Sequence, residues 1–300
     1  MTRLLLFFEF YFSLSLITRL SIINGVDVLR RIVSFICILF SLSSLQLQAR
    51  NLLNEISARE EINIGVGYMV PPMNYIDDDG VHTGFDVDLA LAIAKHMGKT
   101  ANLVKVNNKT RVSFLVTGKV DIVISSMNHT VGRDKVIDFS DVYLYDGKRI
   151  LAKRGRFSSL QDFVGKRVAV VQGSNARTAL HEKLIELGDP NPQILSFQSN
   201  AECLLALKTN KVDGYTNDTV ILLGTSGGDS QYEAVGEIFS PTFFSIGVPE
   251  NQSKLRDEVN FILRDMHLSG EWRAIYDKWF GPSSQYSLPG EPKLPPIWPM

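Results

Sequence analysis

Cysteine is nearly missing: Cys37 and Cys203 are the only two in 300 residues. Two cysteines so far apart form neither a zinc cluster nor a CxxC redox couple, and removal of the segment that carries Cys37 would leave one thiol and no disulfide. The five histidines, His82, His96, His129, His181 and His267, are scattered, and no two have the spacing of metal ligands. No metal and no cofactor is therefore expected. Positive charge is not in surplus either: 31 Lys and Arg against 32 Asp and Glu give a formal net charge of −1, which offers nucleic acid no electrostatic foothold. What is present, 45% hydrophobic and 21% charged residues, is the composition of a globular protein.

Long uncharged apolar runs are also absent. The first apolar stretch is broken by Glu9 and Arg19, and the next, Ile32 to Leu42, is too short to cross a bilayer as a helix. Arg30 and Arg31 precede that run, and small and polar residues follow it to Ala49, the layout of a secretory signal peptide cleaved after Ala49. The leader before the arginines does not belong to such a signal. It is read as an over-extended start, with translation beginning near Val26, Val28 or Leu29; the alternative is an amphipathic membrane anchor. Without residues 1–49, losing Arg3, Arg19, Arg30, Arg31, Glu9 and Asp27 leaves 27 basic and 30 acidic residues, a mildly acidic exported chain.

The length suggests two lobes rather than one core, and the pattern of elements repeats accordingly. Ile62 to Gly67 reads as a short strand, Met73 to Gly84 as a hairpin around Asp77-Asp78-Asp79-Gly80, and Gly84 to Gly98 as an amphipathic helix with Leu89, Ile93 and Met97 four apart, joined by Val87 and Leu91. Asp86 and Asp88 at its start read as helix-capping carboxylates. Asn102 to Val106 reads as a strand, and Thr110 to Val116 as a short helix carrying Arg111 on its exposed side. After a strand at Gly147 to Lys153 the pattern restarts: strands at Arg167 to Val171, Gln193 to Phe197 and Val212 to Tyr215, helices at Ala176 to Leu187 and from Ser199, where Ser199 and Glu202 make a capping box. Ser245 to Pro249 reads as a returning strand, followed by a helix with Leu255, Val259, Ile262, Leu263 and Met266 on one face and an aromatic helix from Trp272 to Gly281. The expected parts are a leader and signal segment over 1–49, lobe 1 over 50–152 and 244–281, lobe 2 over 153–243, and a proline-rich tail over 282–300.

One stretch concentrates chemistry. In Asp121 to Ser140 the apolar run Ile122 to Ile124 breaks into Ser125, Ser126, Asn128, His129 and Thr130 and reaches Arg133. A buried strand emptying into a polar loop is where open α/β sheets hold ligands, and an arginine there can grip a carboxylate with two parallel hydrogen bonds. The bland reading pairs Arg133 with Asp134 or Asp138 on a solvated turn.

Gly84-Phe85-Asp86-Val87-Asp88-Leu89 through Ile93-Ala94 and Met97 resembles the signature of the family 3 extracellular solute-binding proteins, the polar amino acid receptors of bacterial ABC importers. Further matches lie in Gly118 to Asp121, Arg133 with Ile137 to Asp141, Leu160 to Gly173, and Tyr276 to Gly281. The resemblance implies a type II periplasmic-binding-protein fold of the α/β class: two lobes, each a mostly parallel sheet flanked by helices, joined by a two-strand hinge. It implies a monomeric periplasmic receptor whose partners are a free amino acid and ABC permease subunits, and which is not an enzyme. Carried over by position, Arg133 clamps the ligand α-carboxylate and Asp218 takes the α-ammonium. Ser126 and Asn128 complete the clamp, Ser174 and Asn175 close on it from the second lobe, and Arg111 matches an arginine of glutamate- and aspartate-binding relatives. Val70 stands at the usual place of the family's aromatic shelf, and Tyr68, Tyr75 or Tyr143 is expected to substitute for it. A polar or acidic amino acid is the expected ligand. The alternative is a cyclohexadienyl dehydratase-like enzyme, which Tyr143 to Lys148 partly resembles; the loop after Gly173 offers no acid for the proton transfer that chemistry needs.

Overall fold

A computed structural model of the chain describes residues 51–288. The signal segment, Cys37 and the end of the proline-rich tail lie outside the described residues. The elements run in the order α1 (Leu52–Ser57), β1 (Glu61–Val66), β2 (Met69–Val70), β3 (Asn74–Ile76), β4 (His82–Thr83), α2 (Phe85–His96), β5 (Thr100–Lys105), α3 (Arg111–Val116), β6 (Ile122–Ile124), α4 (Val131–Asp134) and β7 (Ile137–Lys153). After a 3-10 turn at Leu160–Phe163 come β8 (Arg167–Val171), α5 (Ala176–Glu186), β9 (Gln193–Phe197), α6 (Asn200–Lys208), β10 (Gly214–Asp218), α7 (Thr219–Ser226), β11 (Tyr232–Pro249), α8 (Ser253–Ser269) and α9 (Glu271–Phe280).

Eight strands form one sheet in the order β5-β1-β6-β11-β7-β10-β8-β9. β1 is parallel to β5 and β6, and β8 is parallel to β9 and β10. Between these two parallel sets lie β7 and β11, antiparallel strands of 17 and 18 residues. The sequence suggested two short crossing strands, at 147–153 and 245–249. They are instead the ends of two continuous ribbons, and register shifts in their pairing, as between Val235 and Ser240, interrupt the two-residue alternation by which a strand is read. The fold class is as expected, a two-lobed α/β protein, though the parallel strand sets of the two lobes are continuous in one mixed sheet through the pair β7 and β11.

The largest apolar cluster holds Ile64, Phe85, Ile93, Phe244, Met266 and Trp272 among others; Val168, Val170, Leu180 and Leu184 belong to a separate one around β8 and α5. α8 buries Leu255, Val259, Ile262, Leu263 and Met266, the predicted face, and each such side chain contributes roughly 1.5–3 kcal/mol. Gly270, at φ 82°, ends α8 in the left-handed region and lets α9 start in a new direction. The Trp272 indole N–H then donates to Tyr143 O at 2.9 Å, tying α9 to β7. Cys203 is buried in α6, and burial followed by the Glu202 charge pushes its thiol up to about 12, so it stays an unreactive thiol.

Three local readings are corrected. Leu91 faces solvent at 48% exposure rather than joining the buried side of α2. Arg111 is buried at 4%, not on the exposed side of α3. Asp86 is no cap: Gly84 precedes the helix without a side-chain cap, and the fully buried Asp86 carboxylate turns inward to other elements. Helices α1, α4 and α7 were not foreseen; α7, Thr-Val-Ile-Leu-Leu-Gly-Thr-Ser, opens with β-branched residues that favour a strand in isolation.

Candidate functional site

Strand ends build the site. β1 ends into Gly67 and Tyr68, β6 into Ser125 and Ser126, β8 into Gln172, and β10 finishes on Asp218. Polar groups beyond the carboxyl ends of parallel strands have no ladder partner and are free for a ligand. These loops enclose a cavity of about 300 Å³, at the small end of ligand-binding cavities. Tyr68, Arg111, Ser126, Asn128, Ser174, Asn175 and Asp218 all line it, although they are spread over some 150 residues of sequence. Arg133 is not among the lining residues.

The two walls already touch. Asn128 Nδ2 donates to Asn175 Oδ1 at 3.0 Å and to Asp218 Oδ2 at 3.4 Å. Arg133 Nη1 donates to Asn128 O at 2.7 Å and Nη2 to Gly173 O at 3.3 Å, while Lys109 Nζ reaches Gln198 Oε1. Arg133 therefore braces two loops through their carbonyls, and its pairing with Asp134 or Asp138 does not occur. Ser174 Oγ donates to Val171 O at 2.8 Å, and Lys105 Nζ lies 5.9 Å from the Tyr68 ring centroid.

Arg111 is the buried cation of the cavity. Its Nη1 donates to Ser125 O at 2.7 Å, and its Nε is buried without a partner. Burial first, and the like charge of Arg133 second, lower its pKa to about 9, so it stays protonated at neutral pH. That Nε is sealed from solvent, so leaving it unpaired is a cost of burying this cation.

Beneath Arg111 lies the group misread as a cap. Asp86 accepts from Ser126 Oγ at 2.7 Å, Tyr143 OH at 2.8 Å and Asn74 Nδ2 at 2.6 Å. Burial raises its pKa to about 6 against the lowering effect of those three donors. Ser126 holds φ at 44°, an uncommon conformation for a residue with a Cβ, so the Asp86 network fixes a strained loop at the cavity wall.

Sequence reasoning missed Lys148 and Asp146. Lys148 and Asp218 are direct partners in the antiparallel β7–β10 register, and Lys148 Nζ lies 2.9 Å from Asp218 Oδ1 with the side chains 0% and 4% exposed. Asp146, two residues earlier, accepts from Val220 N at 3.0 Å. Its pKa is pushed up to about 7, by burial and then by the Asp218 charge. The available signal was the Asp-Gly-Lys run following Tyr143-Leu144-Tyr145, which puts two opposite charges next to the apolar middle of the strand.

A carboxyl whose pKa is raised in the native state holds its proton more tightly there than in the unfolded chain, so stability is lost as pH rises from about 4 to about 7 and levels off above. Asp146→Asn keeps an acceptor for Val220 and removes the titration. The variant is expected to gain stability relative to the parent across that interval, checked by thermal melts of both proteins at about pH 4 and about pH 7.5.

Residues 62–282 match the bacterial extracellular solute-binding proteins, family 3. The ABC transporter glutamine-binding protein GlnH of Bacillus subtilis (strain 168) is 35% identical over 201 residues, 65% of this chain and 72% of that protein. Among solved structures, an ancestral arginine-binding protein bound to arginine superposes with a TM-score of 0.69 at 32% identity, covering 74% of this chain and 99% of that one. An ancestral amino acid-binding protein described as a precursor of cyclohexadienyl dehydratase superposes with a TM-score of 0.70 at 29% identity, covering 76% and 99%.

Proposed function

We infer the purpose of the cavity from the premise that this chain belongs to the bacterial extracellular solute-binding proteins of family 3: it is a periplasmic receptor that encloses a free polar or acidic L-amino acid and delivers it to an ABC importer. One observation carries the reading. Arg111, a buried cation, and Asp218 line the same small cavity, so a carboxylate and an ammonium on one small molecule can both be met by opposite charge. A zwitterion taken out of water needs this, because either charge left unpaired in a dry site is prohibitive. The relatives named for glutamine and arginine support an amino acid as the ligand class.

In this reading residues 50–152 with 244–281 form one lobe and residues 153–243 the other. β7 and β11 run from one to the other and act as the hinge, and Arg133, Asn128 and Lys109 latch the lobes through Gly173, Asn175 and Gln198. Arg133 then holds the shape of the carboxylate site as much as its charge. A dehydratase would need a proton donor aimed into the cavity. Ser174, Asn175 and Arg177 after Gly173 supply none, Asp146 does not line the cavity, and Glu202, which does, is an exposed carboxylate accepting from Gln198 N.

Thermal-shift measurements on mature protein with each of the twenty amino acids test the proposal. A ligand held only by the folded state stabilises it by about 2.7 kcal/mol at a hundred times its Kd, and the largest shifts are expected from glutamine, glutamate and their polar neighbours. No shift with any amino acid would sink the reading.

A further inference from the structure

We propose that Lys148 sets the charge preference of the cavity, so that the receptor accepts amino acids with uncharged or anionic side chains and rejects those with a cationic one. The inference rests on the amino-acid-receptor reading and narrows it. A cationic side chain needs a carboxylate of its own, beyond the one that meets the α-ammonium. Asp218 lines the cavity, but Lys148 holds Oδ1 in a fully buried ion pair and Asn128 Nδ2 lies 3.4 Å from Oδ2, which leaves the carboxylate room for one ammonium at most. The pair is set by the register of β7 and β10 and not by a mobile surface side chain, so it cannot swing away to admit a competitor.

The other carboxylates near the site are committed. Asp86 is saturated by Ser126, Tyr143 and Asn74, and Asp146 accepts from Val220 N; neither lines the cavity. Glu202 does line it, but it is a solvent-exposed carboxylate at the start of α6, whose Oε2 accepts from Gln198 N at 3.1 Å, so water screens its pull on a cation. Against these stand Arg111 and Lys109 in the lining and Arg133 behind it. A second cation would enter a cleft with three protein cations and no uncommitted buried carboxylate. An amide or carboxylate side chain meets the reverse situation, since the charges it would meet in the lining beyond Asp218 are those of Arg111 and Lys109.

The experiment is isothermal titration of the folded mature protein with glutamine, glutamate and arginine, for the parent and for Lys148→Gln, which keeps a donor for Asp218. The parent is expected to bind arginine at least ~10-fold more weakly than the better of the other two, and the substitution to narrow that ratio at least ~10-fold. Arginine binding by the parent within that factor overturns the proposal, as does an unchanged ratio in a folded Lys148→Gln protein. Where the variant does not fold, the parent's ratio alone decides. Binding of no amino acid at all overturns the receptor reading and this inference together, an outcome distinct from arginine binding, in which the receptor stands and the selectivity falls.

Discussion

Arg111→Ala is expected to weaken ligand binding by about 3–5 kcal/mol, a loss of roughly two to four orders of magnitude in affinity, because truncating one partner of a buried charge pair leaves the other desolvated and unpaired. Arg133→Ala is expected to cost less. Arg111 lines the cavity at 4% exposure with an N–H that nothing in the protein accepts. Arg133 has already given Nη1 to Asn128 O and Nη2 to Gly173 O, so its removal loosens loops and leaves carbonyls to water. Titration calorimetry on both variants with the best ligand from the thermal screen checks the order. A larger loss for Arg133→Ala would return the carboxylate grip to Arg133. The unfolding midpoint of unliganded Arg111→Ala should hold or rise, since the substitution removes a desolvated cation with one unsatisfied donor.

The difference between the two arginines marks where sequence reading stops. The class of fold was readable from period alone: short β-branched runs alternating with amphipathic helices, twice over, with Leu255 to Met266 falling on one face of α8 as the spacing requires. The cavity-lining loops were readable as well, because apolar strands that break into Ser, Asn and Gly have few other uses. Burial of one side chain on a six-residue helix was not readable, since fewer than two turns give no phase, and Arg111 was turned to the wrong side. Asp86 was assigned to capping by its position, and its actual partner Tyr143 comes 57 residues later. Lys148 and Asp218 face each other only through a strand register formed across 70 residues. Local pattern carries no information on such a pairing, and it is the one that changes the chemistry of the site.

Gly224 offers the sharpest test of closure. It sits in α7, the helix that follows Asp218, and a Cβ there would lie 1.8 Å from Pro71 O and 2.3 Å from Pro71 C. Those are backbone atoms, and the segment that holds them cannot retreat: proline fixes its own φ, and Phe85 N donates to Pro72 O at 3.0 Å. α7 is equally held, through Thr219 Oγ1 to Gly147 O at 2.8 Å and Val220 N to Asp146 Oδ2 at 3.0 Å. Gly224→Ala should therefore push α7 off the Pro71 loop and carry Asp218 away from Arg111, weakening ligand binding about a hundredfold or more, ~3 kcal/mol. Alanine is the better helix former by roughly 1 kcal/mol, so helix propensity cannot explain a loss. If Pro71 meets α7 only when the hinge of β7 and β11 closes, the unliganded variant relaxes by opening and its melting midpoint stays within a few degrees of the parent's. Small-angle scattering with saturating ligand should then show the variant more extended than the parent. A contact present in every state predicts the opposite pattern, a lowered midpoint without ligand, because overpacking against fixed backbone has nowhere to relax. Unchanged affinity together with an unchanged midpoint would refute the close approach itself.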